Sequence, residues 1–365
     1  MSAAQIAIAP ANLSAYIRAI VAGTGSSARE AELTADNLVL ANLSGHDSHG
    51  VGMIPAYVGF ALGGGLVPNQ HARVTADLGS MVMIDGCRGY GQVIGHEAMR
   101  IGVERARAHG LALVALSNSH HIGRIGQWAE DCAAAGMVSL HFVNAVLRPL
   151  VAPFAGSDAR FATNPFCCGI PRGGEEPLIL DFATSRIALG KVRVARQEEK
   201  TLAPGTLIDG AGNPSTDPRV MYERDVAGRL GAILPFGEHK GYGMAVICEI
   251  LGGALTGGKT LHEDSGNFTG IYNNMLSIII DPERLGGATF HAERDAFIDW
   301  VRASPAAPGH DRVRIAGEPE REMRARRSQS IPIDANTWRD IEMAARKVGL
   351  TDADIARFCA GARPI

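Results

Sequence analysis

The feature that most constrains this chain is a change of hydrophobic period near Arg73. Before it, apolar residues recur at helical spacing, so 13–22, 28–43 and about 51–62 read as helices, each closed by glycine. Ser27 and Glu30 stand at capping-box spacing before the second of these. After it, short β-type runs alternate with helical stretches: VTADL, SMVMID, a helix over 92–109, LALVALSN, a helix over 127–135, MVSLHFVNA, an extended stretch over 162–170, LILDFA, and a helix over 185–195. A polar loop or crossover, 196–220, follows. Residues 240–255 are apolar on nearly every side except at Glu249, which marks a buried helix, and MLSIIID is a strand. The charged stretch 318–327 leads to two closing helices, 335–348 and 352–359. The expected fold class is α/β, with a mixed sheet and a helical N-terminal part.

Composition narrows the function. The 44 glycines in 365 residues, about 12%, exceed the usual ~7% without collagen's triplet period, which points to tight turns near a ligand. A net charge of −3 offers no footprint for nucleic acid. No apolar run approaches the roughly 20 residues of a membrane span, and the opening residues lack a signal peptide's basic and apolar regions, so a cytoplasmic protein is expected. The six cysteines lack CxxC spacing and read as reduced and buried.

Two glycine motifs imitate nucleotide sites. GTGSSA, at 23–28, matches the dinucleotide fingerprint in letters but follows a helix, where the fingerprint needs a strand. GALTGGKT, from Gly253 to Thr260, fits the P-loop pattern, yet a buried helix precedes it and LHEDSGNFTG after it reads as loop. Four other segments combine glycine with chemically active residues: Gly45 to Gly50, with His46, Ser48 and His49; Asn118 to Gly126, just after a strand; Thr163-Asn164-Pro165 with Asp181 to Ser185; and Gly237 to Gly243, opening the buried helix. Each histidine could equally be a packed or surface residue, and Asp181 and Thr184 could simply cap a following helix. His46 and His49 lack the i, i+4 spacing of a zinc helix, so no metal is expected.

Five motifs in order, DSHGVGMIPAY, NSHHIGRIGQWAE, TNPFCCGIP, LDFATSRIALGKV and EHKGYGMAVICEILGGALTG, resemble the type 2 malate/L-lactate dehydrogenase family, which includes sulfolactate and ureidoglycolate dehydrogenases and a cyclic imino-acid reductase. Within it the GHDSHG and NSHHIGRIG forms are most similar to the hydroxycarboxylate dehydrogenase branch. The likeness implies a non-Rossmann, sulfolactate dehydrogenase-like fold in three parts: a helical domain from 1–72 with 330–365, a mixed-sheet cofactor domain from 73–195 with 270–329, and a crossover subdomain over 196–269. It implies NAD- or NADP-dependent, metal-free hydride transfer between 2-oxo and 2-hydroxy acids, in a homodimer whose active site lies near the subunit interface.

Carried over by motif, His49 resembles the proton donor or acceptor, with Ser48 as relay partner, and His121 matches a histidine to which some members assign proton acceptance. Cofactor contacts would come from His49, Gly123, Arg124 and Ile125; from Ile179, Leu180, Asp181, Phe182, Ala183 and Thr184; from His239 and Lys240; and from Asn273, Gly317, Glu318, Pro319 and Glu320. The chain departs from much of the family at Met53, where many members carry arginine. A substrate carboxylate needs a cation, which points to Arg124 with Arg148 in reserve, beside Asn164. Met53 would suit a larger apolar substrate side chain, so aryl 2-oxo acids such as phenylpyruvate join malate- and lactate-type substrates. Reduction of a cyclic imino acid is the nearest rival.

Overall fold

The computed structural model describes residues 5–197, 199–262 and 269–365. Both chain ends build the helical part. Helices α1 (Pro10–Gly23), α2 (Ala28–Leu43) and α3 (Ile54–Leu62) pack against α11 (Ala335–Lys347) and α12 (Asp352–Phe358). Their apolar stripes meet in a core that includes Leu13, Tyr16, Leu38, Ile54 and Ile341. The Tyr16 ring lies 6.0 Å from Trp338 and 6.2 Å from Phe358. Strand β1 (Gln5–Ile8) lies between β12 (Ile331–Asp334) and β13 (Arg363–Pro364), antiparallel to both, and ties the two ends of the chain together. The Ser27 box is only half formed. Ser27 Oγ accepts the Glu30 N–H, but the Glu30 carboxylate turns to the Asn69 N–H at 2.9 and 3.0 Å, anchoring the loop that leads into the sheet.

The seven-stranded sheet has the order β2-β3-β4-β11-β5-β6-β7. Its strands are β2 (Arg73–Asp77), β3 (Met81–Asp85), β4 (Leu111–His120), β5 (Val138–Val146), β6 (Phe166–Arg172), β7 (Glu175–Phe182) and β11 (Tyr272–Ile280). Only the β3–β4 pair is parallel, because α4 (Gly91–His109) crosses over between them. Helices α4 and α5 (Gly126–Ala134) cover one face over Val82, Val114, Leu116 and Ile279. Two glycines set that distance: a Cβ at Gly95 would meet the Trp128 ring at 2.6 Å, and one at Gly102 would meet Ile279 at 2.5 Å.

A three-stranded sheet of β8 (Leu207–Ile208), β9 (Pro214–Ser215) and β10 (Ala232–Ile233) fills the crossover after α6 (Leu189–Gln197). Since α6 begins at Leu189 rather than 185, Asp181 and Thr184 do not cap it. The expected buried helix is split and turned around. It runs as α7 (His239–Cys248) and then a π-type turn, Glu249–Ala254. Its small residues face the sheet, where a Cβ at Gly252 would meet Phe142 O at 2.7 Å. Ile247, Ile250 and Leu255 are 45–60% exposed, while Glu249, the polar exception in the pattern, is buried and accepts from Asn144 and Asn164.

Helices α8 (Pro282–Leu285) and α9 (Gly287–Arg302) occupy a stretch with no helical stripe to read, since only Ile298 of α9 is buried. The charged stretch is α10 (Glu318–Arg327). GTGSSA forms the turn between α1 and α2, and Gly253–Thr260 begins inside the π-type turn, not after a strand. Much of the LHEDSGNFTG loop, 263–268, and the first four residues lie outside the described residues.

Candidate active site

The candidate site forms where the C-terminal end of β4 meets the turn between α2 and α3, a position at which α/β proteins commonly bind small molecules. The turn is stapled by one side chain. Asn42 Oδ1 accepts the Val51 N–H at 2.8 Å, and its Nδ2 donates to Asp47 Oδ1 at 2.6 Å. Gly50 is required beneath it, because a Cβ there would lie 2.1 Å from Asn42 Oδ1. This geometry places His49 in a short 3-10 turn, half-buried, facing the residue that follows β4.

That residue is His121. The two imidazoles stack with centroids 5.4 Å apart at 15°, and His49 Nδ1 lies 3.4 Å from His121 Nε2. Behind them, the Tyr57 hydroxyl is 2.6 Å from His121 Nδ1 and accepts from Gln92 Nε2 at 2.9 Å. The directions follow from that amide. Gln92 donates to Tyr57, so the phenol donates to His121 Nδ1, so His121 carries its proton on Nε2 and gives it to His49 Nδ1. The His49 proton then sits on Nε2, which has no hydrogen-bond partner among the described residues. Burial pushes the His49 pKa down to about 4, helped by the charges of His46 and Arg124, and pushes His121 well below the ordinary range. Both rings are therefore neutral near pH 7.

Arg124 lies in the loop that enters α5 and is only 1% exposed. Its Nη2 donates to Glu130 Oε2 at 2.7 Å, while Nε and Nη1 have no hydrogen-bond partner among the described residues. A buried guanidinium with unpaired nitrogens is costly, so the site is built for an anion. Gly126 makes the room, since a Cβ there would lie 2.2 Å from Arg124 Nη1 and 2.9 Å from Asp181 Oδ2. Asp181 accepts the Gly126 N–H at 2.8 Å, and burial raises its pKa against the pull of His46 and Arg124. Gly123, at φ +72°, turns beside Asn37, whose buried amide also lacks a partner among the described residues. Unpaired groups at Arg124 and Asn37, next to glycine backbone, fit a polar anionic ligand such as a nicotinamide dinucleotide with a carboxylate substrate.

The structure draws several of the sequence candidates together. Ile179 N–H bonds Ala316 O at 3.3 Å, joining the 179–184 strand end to Gly317 at the start of α10. Glu320, two residues past Glu318 and one past Pro319, lies 3.3 Å from His46 Nε2. Others stand apart. Ser48 packs its Cβ against Gly190, and no hydrogen bond ties it to His49. Met53 packs on the helical core, one turn before Tyr57. Asn164 gives its amide to Glu249 Oε2 at 2.7 Å and to Ala245 O, and Thr184 donates to the Thr163 and Asn164 carbonyls. Asn273 is spent on Ile122 N–H and Asn144 O. Arg148 is exposed and feels Tyr222 and Arg224 rather than the histidines. His239 and Lys240 are exposed at the start of α7, with the His239 ring 5.9 Å from Phe154. Leu180 is 45% exposed, on the sheet face away from α5.

Tyr57 and Gln92 are the residues that reading candidates from the sequence missed. Tyr57 stands eight residues after His49 inside a quoted motif, and Gln92 is a buried amide in the first turn of α4, the only local signals available.

A mixed-sheet protein that holds a neutral histidine pair beside an unsatisfied buried arginine is equipped to move a proton on a small anion. The chain belongs to the malate/L-lactate dehydrogenase family, whose model matches residues 8–342. It is 50% identical over 353 residues to hydroxycarboxylate dehydrogenase B of Escherichia coli K12, covering 95% of this chain and 96% of that one. It is 34% identical over 279 residues to a pyrroline-2-carboxylate/piperideine-2-carboxylate reductase of Pseudomonas syringae, covering 75% and 79%. The solved sulfolactate dehydrogenase of Methanocaldococcus jannaschii superposes with a TM-score of 0.83 at 30% identity, covering 95% and 99%. The chain is thus an oxidoreductase of this family, with the mixed α/β fold of its sulfolactate dehydrogenase member.

Proposed function

We propose that this protein interconverts 2-oxo acids and 2-hydroxy acids, with NAD or NADP as hydride partner and His49 as the group that holds the proton at the C2 oxygen. The observation that carries the reading is the chain Gln92–Tyr57–His121–His49, which ends on the half-buried His49, where burial and then the charges of His46 and Arg124 depress the pKa. The cofactor, when bound, supplies or takes the hydride at C2. Gly123, Arg124, Ile125 and the 179–184 strand end would hold it near the histidines, with Gly317 to Glu320 further along and His239 with Lys240 at the start of α7.

The residues do the rest. Arg124 Nη1 and Nε, held in place by Glu130, bind the substrate carboxylate. In reduction His49, protonated once the anionic substrate is bound, donates Nε2–H to the C2 oxygen as negative charge builds there and is left as the neutral imidazole, its ring held against His121. In oxidation the same atoms run in reverse, with a neutral imidazole as the base. The anionic substrate raises the proton affinity of His49, offsetting the burial that keeps it neutral at rest.

Met53, one turn from Tyr57, leaves an apolar surface where the family often has arginine, which favours an aryl or alkyl substrate side chain. A steady-state assay at 340 nm with phenylpyruvate, oxaloacetate and the cyclic imine side by side tests the reading. Turnover of 2-oxo acids above the imine supports it, and turnover of the imine alone refutes it.

The working unit proposed is a homodimer. Met81, Met83 and Leu180 lie on the sheet face away from α4 and α5, and Ile247, Ile250 and Leu255 stand out from the helix on that same face. This apolar surface suits a second copy of the chain. Light scattering at micromolar concentration should give twice the chain mass, and a monomer mass would refute it.

A further inference from the structure

A cavity of about 870 Å³ lies at the far end of α5 from the histidine pair, between the β6–β7 hairpin and the first turns of α10. Ala133, Pro171 and Pro177 give it apolar walls, and arginines 172, 302, 321 and 324 face it. The two carboxylates on its helical side are already engaged, while Glu175 and Glu176 stand exposed on the hairpin. Glu318 accepts from Arg302 at 2.7 Å, Arg312 at 2.8 Å and the Ile315 N–H at 3.0 Å. Glu130 is shared between Arg124 and Arg324.

Two cations keep hydrogen-bonding capacity open. Arg321 gives Nη1 to Pro177 O at 3.0 Å and has no carboxylate partner among the described residues. Arg172 is 8% exposed; it pairs with the exposed Glu175 at 2.6 Å, and its Nε, 3.7 Å from Asp295, makes no hydrogen bond among the described residues.

We infer that this cavity takes the adenosine end of the dinucleotide and that Arg321 with Arg172 reads a phosphate on the ribose 2′ oxygen, so that the protein prefers NADPH to NADH. The inference rests on the nicotinamide reading above. The 179–184 strand end and Gly317 lie between the histidines and the cavity, and Pro177 and Glu318 line it, so a ligand following those segments arrives here. An NADH site keeps an acidic side chain for the ribose 2′-hydroxyl, whereas a 2′-phosphate needs a guanidinium. Glu318 is the carboxylate best placed for that hydroxyl, and its oxygens are filled. The buried unpaired nitrogen in the cavity belongs to Arg172, and Arg321 beside it is bonded only to a carbonyl among the described residues, a pairing that suits a dianion.

Binding is measured by calorimetry with NADPH, NADH, 2′,5′-ADP and 5′-AMP, the last two lacking nicotinamide. The 2′-phosphorylated member of each pair should bind at least about tenfold more tightly, the scale of a charge-assisted hydrogen bond. Arg321→Met and Arg172→Met should each erase most of that ratio while NADH affinity holds within about threefold. Arg321→Lys should restore part of it, because charge rather than packing is being read. Equal affinities within each pair, or a ratio that survives both Met variants, would overturn the inference and leave the nicotinamide reading standing. Failure of both dinucleotides to bind would overturn the two together.

Discussion

Replacing Tyr57 by Phe removes one oxygen from the middle of the proposed proton chain and leaves its packing in place. The ring meets Tyr90, His120 and His121 edge-on, with centroids 5.6–6.1 Å away, and none of those contacts uses the hydroxyl. What is lost is the 2.6 Å bond to His121 Nδ1 and the 2.9 Å bond from Gln92 Nε2. Each leaves a buried polar atom without a partner, at about 1–3 kcal/mol apiece. The loss of the donor to Nδ1 also removes what selects the Nε2–H tautomer of His121. A net hydrogen-bond preference of about 1–1.5 kcal/mol corresponds to roughly tenfold in the population of the competent tautomer. The kcat for 2-oxo acid reduction should therefore fall about tenfold with KM little changed, and urea unfolding should report a loss of about 2–4 kcal/mol. Gln92→Leu should lower kcat less, and the double variant should cost less than the sum, since both changes act on one chain. A Tyr57→Phe enzyme with kcat within twofold of the parent would refute the tautomer reasoning.

Other consequences are as direct. Arg124→Lys keeps the charge but loses the planar fork, so KM for the 2-oxo acid should rise about tenfold or more, and an unchanged KM would move the carboxylate elsewhere. For hydroxy-acid oxidation the base must be neutral, and the His49 pKa of about 4 places the loss of kcat/KM on the acid side below pH 5; a break near 6.5 would mean an unperturbed histidine. His120 and His141 are buried with pKa values pushed down to about 3, whereas both return to about 6.5 on unfolding. The unfolded chain then binds more protons between those values, so stability falls as pH drops below 6.5. The loss is about 2 kcal/mol per histidine at pH 5, and equal urea midpoints at pH 7 and pH 5 would contradict it.

The change of period near Arg73 was enough to separate the helical part from the sheet, because both patterns depend on neighbours within a few residues. What needed the structure is long-range. His120 and His121 are adjacent letters, yet one closes β4 within a shell of Tyr57, Phe60 and Tyr272, while the other turns to His49, 72 residues earlier. Tyr57 carries the spacing of a core residue and is one by burial, and only its hydroxyl points to chemistry. The expected burial of 240–255 all round fails for a related reason. The polar exception, Glu249, is the side chain that goes inside, because Asn144 and Asn164 satisfy it and the glycines bring the helix close enough for them to do so, while Ile247, Ile250 and Leu255 are left exposed. Arg124 is a candidate on chemistry alone, and which of its nitrogens stay open depends on Glu130, six residues on, holding the third.

The most direct test of the account is isotopic. The purified protein is given a 2-oxo acid with NADPH or NADH carrying deuterium at both C4 positions, and the product is examined by mass spectrometry and NMR. A 2-hydroxy acid with one deuterium at C2, formed at a rate that drops at least a hundredfold in His49→Ala, is the predicted result. Product without label at C2, or undiminished labelling in His49→Ala, would contradict it.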